Sequence, residues 1–309
     1  MTPWRIVLFG GFQLRHPAAP EEVKITATLQ ALLAYLLLFR HRAHSRDVIM
    51  ELFWGDRDEA HARACLNTSL WRLRQILEPR GAVERGQYLL TNHVGDIGFN
   101  GGGDYSLDVA DFETAVAPLL RRSAEALTDA DAQQLEEGLR LYRGDLLEGI
   151  YADWALRERE RLREMRLAAL YHLLHHYRQR RRYDDALRCG QFILHGDPLR
   201  EHVHRDLIQL YADSGRPAQA VQQYQTCRHA LQVEMGIDPM PETRALYEQI
   251  AHATRDFSAQ MADDGRRAAA ASTGAAQSDD AYQAAQSLLT LCAEMQQRLG
   301  DLLHLLERQ

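Results

Sequence analysis

The sequence predicts a mainly α chain: a small α+β unit at the front, an all-α stretch of helical repeats behind it, and an amphipathic helix at the C-terminal end. Three observations carry this. Leu66, Leu70, Leu73 and Leu77 recur at i, i+4, i+7 and i+11, with short β-rich runs on either side. Tyr177, Ala186 and Ile193 recur 34 residues later as Tyr211, Ala220 and Cys227. Leu288, Cys292, Met295, Leu299, Leu302 and Leu306 step alternately by four and three.

Arg5–Phe9 is a short β-rich run, and Gly10-Gly11 reads as a turn into a second strand over Phe12–Arg15. Pro17 and Pro20 mark a loop, and Val23–Ile25 is expected as a third strand. Thr26 or Thr28 caps a first helix whose leucines 29, 32, 33, 36 and 37 keep helical spacing. Ser45 is an N-cap for a second helix, Arg46–Phe53, ended by Gly55. The third helix, Arg63–Leu77, stops at Pro79 and Gly81. Gln87–Thr91 and Asp96–Phe99 are expected to pair as a hairpin around Asn92–Gly95. Short strands, three helices and a hairpin are the order of a winged helix-turn-helix.

Opposite the leucines, the third helix carries Asn67, Thr68, Trp71, Arg72 and Gln75, with Arg63 and Arg74 on the flank. Arginine suits guanine edges or phosphates, Asn and Gln suit adenine, and Thr suits either base type. No acid interrupts 63–77 until Glu78. Residues 60–85 hold five arginines (63, 72, 74, 80, 85) against Glu78 and Glu84, so 5 − 2 = +3 in a chain of net charge −7. Arg85 in this stretch joins the candidate DNA set. Trp71 suits either a groove contact or packing against the following domain. Trp54 and Trp154 are expected in the core or between domains.

Asn100–Asp104 reads as a hinge rather than a phosphate cradle, because no helix follows at the required spacing. From Asp108 the chain is almost wholly helical, broken at Gly144, Gly149, Pro198, Gly215, Gly236 and Pro239. The 34-residue period is that of tetratricopeptide repeats. Asp184 and Asp185 suit a helix start. Residues 257–280, rich in Ala, Ser, Gly and Asp, read as a flexible linker. The heptad seam beyond it either joins copies of the chain, the preferred reading, or folds back onto the repeats. The expected division is 1–100 winged helix, 101–107 hinge, 108–255 helical repeats, 256–280 linker and 281–309 amphipathic helix.

Four scattered cysteines (65, 189, 227, 292) offer neither a zinc site nor a disulfide framework. No leader or membrane-spanning run is evident, so a cytoplasmic location is expected. His172 and His176 share a helix face without a third ligand and read as partly exposed surface. No nucleophile, P-loop or paired-carboxylate pattern stands out, so neither catalysis nor a cofactor is expected.

RIVLFGGF (5–12), HSRDVIMELFWGD (44–56), LNTSLWRLRQIL (66–77), LDVADFE (107–113), GLRLYRGDLLEG (138–149), RERERLREMRLAAL (157–170) and GIDPMPETRALYEQI (236–250) stand in one order. In these motifs the sequence resembles the small SARP-type transcriptional activators, in which a response-regulator-like winged helix precedes a bacterial transcriptional activation domain. The resemblance covers about 5–251. It implies that Arg72 and Arg74 contact DNA, and that Ser45 and Arg46 hold a phosphate at the start of the second helix. It also implies binding to tandem promoter repeats in double-stranded DNA and recruitment of RNA polymerase holoenzyme. Asn67 stands where the family often has Arg, and Trp71 where a small polar residue is common, so a different target sequence is expected. Thr26 and Thr28 replace frequent basic residues. The rival reading is a helical-repeat scaffold, or a ligand-sensing regulator whose repeat groove takes a protein or an unidentified small-molecule effector.

Overall fold

β1 (Trp4–Val7) alternates buried Trp4 and Ile6 with exposed Arg5, the period of a half-buried strand. In the computed structural model, which describes residues 4–16, 21–79 and 83–253, β1 is the centre of a three-stranded sheet. β2 (Gln13–Arg15) pairs with it antiparallel, placing Ile6 opposite Leu14. β5 (Tyr105–Leu107) pairs with it parallel, placing Ile6 opposite Leu107. The expected strand at Val23–Ile25 does not form. Glu22 makes an isolated bridge with Arg15, Val23 N–H donates to the Leu14 carbonyl at 2.7 Å, and the chain then leaves the sheet edge.

Three helices follow. α1 (Ala27–Leu38) is apolar on nearly every side and buried on nearly every side, as a central helix must be. α2 (Arg46–Trp54) is capped by Ser45, whose Oγ accepts the Val48 N–H, and ends at Gly55. α3 starts four residues earlier than its leucine pattern suggests, at Glu59, because Asp58 caps it by accepting the His61 N–H at 3.0 Å. It runs to Leu77. β3 (Leu89–Thr91) and β4 (Ile97–Phe99) then form the wing, with Thr91 opposite Ile97. Asn92 shapes its turn: Oδ1 accepts the Val94 and Asp96 N–H groups.

The stretch read as a hinge contains β5, so Tyr105–Leu107 is a rung of the N-terminal sheet. Asp108 opens the next helix, α4 (Asp108–Leu120), and its carboxylate accepts the N–H groups of Leu8, Phe9 and Val109 at 2.8–3.0 Å. A loop from the helical half adds to the same strand. Gly10 N–H donates to Asp145, Leu147 N–H to Leu8 and Glu148 N–H to Gly10. Leu147 there has φ +51°, and Arg159 holds the loop by donating to the carbonyls of Leu146, Leu147 and Ile150.

α5 (Asp129–Leu141), α6 (Asp153–Gln179), α7 (Tyr183–Gly196), α8 (Glu201–Asp213) and α9 (Pro217–Met235) complete the described repeats. The recurring residues fall at matching places in the pairs α6–α7 and α8–α9. Tyr177 and Tyr211 close one helix, Ala186 and Ala220 open the next, and all six residues of the pattern are buried. Gly190 lets α7 approach α8, since a Cβ there would lie 2.5 Å from a Leu207 methyl. Asp184 and Asp185 stand in the first turn of α7, as expected. Residues Met1–Leu246 are one compact unit. Of the second, Tyr247–Gln309, residues 247–253 are described and helical. The linker and heptad seam lie outside the described residues. No described helix is long and apolar enough to cross a membrane.

Trp154 packs edge-on to Tyr35 of α1 at 5.4 Å and against Phe53 of α2 at 6.2 Å, so it joins the repeats to the winged helix. Trp54 is buried as well. His176 corrects the sequence reading: it is buried, with Nδ1 at the Leu127 carbonyl and Nε2 3.2 Å from Asp129. His172 meets the carbonyls of Ala168 and Arg122. Among the described residues no group of His, Cys, Asp and Glu is arranged to hold a metal.

Two buried histidines make the fold acid-sensitive. His204 Nε2 lies 3.0 Å from the Pro198 carbonyl, and its Nδ1 meets the Gln223 amide at 2.7 Å. His44 is enclosed by the Tyr35 hydroxyl and the Phe39 carbonyl. Burial lowers both pKa values from 6.5, so the folded chain favours the neutral rings. Their contribution is complete above pH 6.5 and is lost as pH falls from there through the folded values. The slope is at most about 1.4 kcal/mol per pH unit for each ring. Melting temperature is expected to drop below pH 6.5, and His204→Gln to flatten the drop; a flat wild-type profile down to pH 5 would refute the assignment.

Candidate nucleic-acid interface

α3 is built as a two-sided rod. Leu66, Leu70, Leu73 and Leu77, with Ala62 and Ser69, are buried behind it. Asn67, Thr68, Trp71, Arg72 and Gln75 are exposed on the other side, Trp71 by 58%. Glu78, the nearest acid in sequence, lies at the floor of the groove beside that face. It is buried, and its Oε1 accepts the N–H groups of Tyr88 and Leu89, both at 2.8 Å. A carboxylate at a helix C-terminus sits at the unfavourable end of the dipole. This one is retained as the anchor that ties the start of the wing to the end of α3.

The wing is tied at two further points. His44, just ahead of α2, exchanges both backbone hydrogen bonds with Ile97 at 2.8 Å. Arg74 donates to Thr91 Oγ1 at 2.7 Å, fixing the last turn of α3 against β3. Arg46, at the first position of α2, donates to Asn67 Oδ1. The result is a shallow groove of about 360 Å³ that brings together Arg46, Asn67, Trp71, Arg74, Gln75 and Arg85.

The candidate residues are not equivalent within this groove. Arg63 is paired with Glu59 at 2.6 Å, so part of its charge is neutralised on its own helix. The Thr68 hydroxyl donates to the Ala64 carbonyl, leaving its methyl and lone pairs outward. Ser45 is committed to its cap. Trp71, Arg72, Gln75 and Arg85 are exposed and make no hydrogen bond or ion pair with other described residues. Sequence reasoning missed Glu78, Thr91 and the backbone of His44, which position the face without forming it. For Glu78 one signal existed: an acid directly after the last leucine, at the helix end that disfavours it.

An exposed face without acids from Arg63 to Leu77 of α3, held beside a wing and joined to helical repeats, places the chain in the class of winged helix-turn-helix folds with a helical-repeat domain. Residues 107–251 match the family described as the bacterial transcriptional activator domain, the domain its motifs implied behind the winged helix. Regulatory protein AfsR of Streptomyces coelicolor is 30% identical over 225 residues, which are 72% of this chain and 22% of AfsR. AfsR of Streptomyces griseus is 29% identical over 82% of this chain and 24% of its own length, so this chain spans less than a quarter of either relative. Transcriptional regulatory protein MoaR1 of Mycobacterium tuberculosis is 25% identical over 73% of this chain and 72% of MoaR1. The solved structure of Mycobacterium tuberculosis EmbR, in complex with a low affinity phosphopeptide, shares the fold: TM-score 0.69, 22% identity, 82% of this chain and 66% of that one.

Proposed function

We propose that this chain is a transcriptional regulator that binds promoter DNA directly, with α3 in the major groove and the wing against the neighbouring backbone. The carrying observation is the exposed face of Asn67, Trp71, Arg72 and Gln75, beside which the one nearby acid, Glu78, is buried at the floor of the groove with one oxygen engaged by backbone N–H groups. Arg72 and Gln75 read base edges, while Arg46, Arg74 and Arg85 meet phosphate. Arg46 also orients Asn67 through their hydrogen bond, so a backbone contact and a base contact are coupled.

In this reading residues 1–100 select tandem repeats, residues 108–255 engage RNA polymerase holoenzyme, and the Leu288–Leu306 seam joins copies of the chain. A cytoplasmic location follows from the DNA target.

The test is fluorescence anisotropy on a site selected from random DNA by the purified chain. Arg72→Ala is expected to weaken binding by about 1–3 kcal/mol and to relax preference at one base pair. Arg46→Ala is expected to weaken all sequences alike and to flatten the salt dependence by about one unit. Unaltered affinity and salt slope in both variants would sink the DNA reading.

A further inference from the structure

Where α5, α6 and α7 meet, a groove of about 390 Å³ opens on the repeat half. Arg140, Arg166, Arg182 and Arg188 line it against Glu136 and Asp185, so 4 − 2 = +2 in a chain of net charge −7. Both acids are already engaged. Glu136 accepts the Tyr177 hydroxyl and meets Arg140 at 3.5 Å. Asp185 takes Arg182 at 2.6 Å and also Arg188.

Arg166 is different. Its guanidinium lies 4.5 Å from the centre of the Tyr142 ring and 4.2 Å from that of Phe192. No carboxylate among the described residues comes within 4.0 Å of it. It is half-buried, and the loss of water there lowers its pKa. Leu139, Leu170 and Leu173 line the same groove. A cation held between aromatic faces and beside leucines, drawn by Asp145 but in direct contact with no described carboxylate, is the complement of an anion with a flat apolar body.

We propose that this groove is a binding site for a small organic carboxylate, its carboxylate on Arg166 and its apolar body against Phe192 and the leucines. The guanidinium fork matches a carboxylate with two parallel hydrogen bonds. The site is one side chain from the N-terminal sheet. Tyr142, on which Arg166 lies, is 4.4 Å from Phe9 and donates to Asp145, whose backbone carbonyl takes the Gly10 N–H. A ligand that draws Arg166 off Tyr142 therefore acts on the contacts that join the repeats to β1. The site does not depend on the DNA reading, and its test uses no DNA.

The test is titration calorimetry of the full chain with naphthalene-2-carboxylate, with the uncharged naphthalene-2-carboxamide as its shape-matched control. Saturable binding of the carboxylate to one site per chain is expected, at least about tenfold tighter than the amide and weakening with salt. Arg166→Gln is expected to cost about tenfold or more with an unchanged melting curve. If that variant melts early, Arg166→Lys decides, because it keeps the charge and loses the fork. Arg140→Ala, at the exposed rim, is expected to weaken binding by a smaller factor. Equal binding of acid and amide overturns the proposal, as does full affinity in the deciding Arg166 variant. Absence of saturable carboxylate binding at millimolar concentration overturns it, and so does preferential capture of a polyglutamate peptide, which would make the groove a protein-docking site.

Discussion

Replacing Asp108 by alanine is expected to lower stability by about 3 kcal/mol, or roughly 6–12 °C in melting temperature for a unit of this size. The carboxylate accepts three backbone N–H groups, from Leu8, Phe9 and Val109. Two of these donors lie just past β1, where the 145–148 loop bonds to Leu8 and Gly10 but offers no backbone acceptor to the Leu8 and Phe9 N–H groups. Without an acceptor, each partly buried donor loses a hydrogen bond that water restores poorly. Asp108→Asn keeps an acceptor oxygen and is expected to lose less than about 1 kcal/mol. Burial raises the Asp108 pKa despite the three donors, so its contribution is largest below the ordinary value of 3.8 and declines as pH rises through the folded one. The acid sensitivity assigned to His44 and His204 therefore has the opposite sign and is separable from it. Thermal melts of the two variants at neutral pH check the claim, and an alanine variant within 2 °C of wild type would refute it.

Glu78→Ala is the second large effect, about 2–3 kcal/mol in stability and a tenfold or greater loss of DNA affinity if α3 and the wing act together. The side chain is buried and holds the N–H groups of Tyr88 and Leu89. Its removal frees β3 from α3 at the point where Arg74 and Thr91 also meet. The phosphate contacts of the wing would then lose their fixed distance from the base contacts of α3. Glu78→Gln can accept both N–H groups and is expected to restore stability and binding. Paired melts and anisotropy distinguish the outcomes. If alanine lowers stability but leaves DNA affinity intact, the wing is not a contact surface.

Much of this molecule is legible without coordinates. The leucine face of α3, the alternation in β1 and the 34-residue recurrence are local patterns, set by the periods at which side chains return to one side of a strand or helix. They separate Asn67, Trp71, Arg72 and Gln75 from the leucines that anchor them, because α3, unlike α1, has only one apolar face to bury. The caps at Ser45 and Asp58 are likewise local, since the donors they satisfy lie within one turn.

What the sequence by itself determined is therefore which faces exist and in what order. Tertiary structure decided which charges on those faces are available. Arg63, Arg72 and Arg74 look alike in the sequence, but one pairs with Glu59, one is open and one is pinned to Thr91. Asp108 and Glu78 look like surface acids, yet each binds backbone N–H groups of strands distant in the chain. Arg166 looks like one more basic residue on a charged helix until Tyr142 and Phe192 close over it. The reason is physical: periodicity is a property of neighbours along the chain, whereas the fate of a charge depends on the partner and the water that distant segments bring or remove.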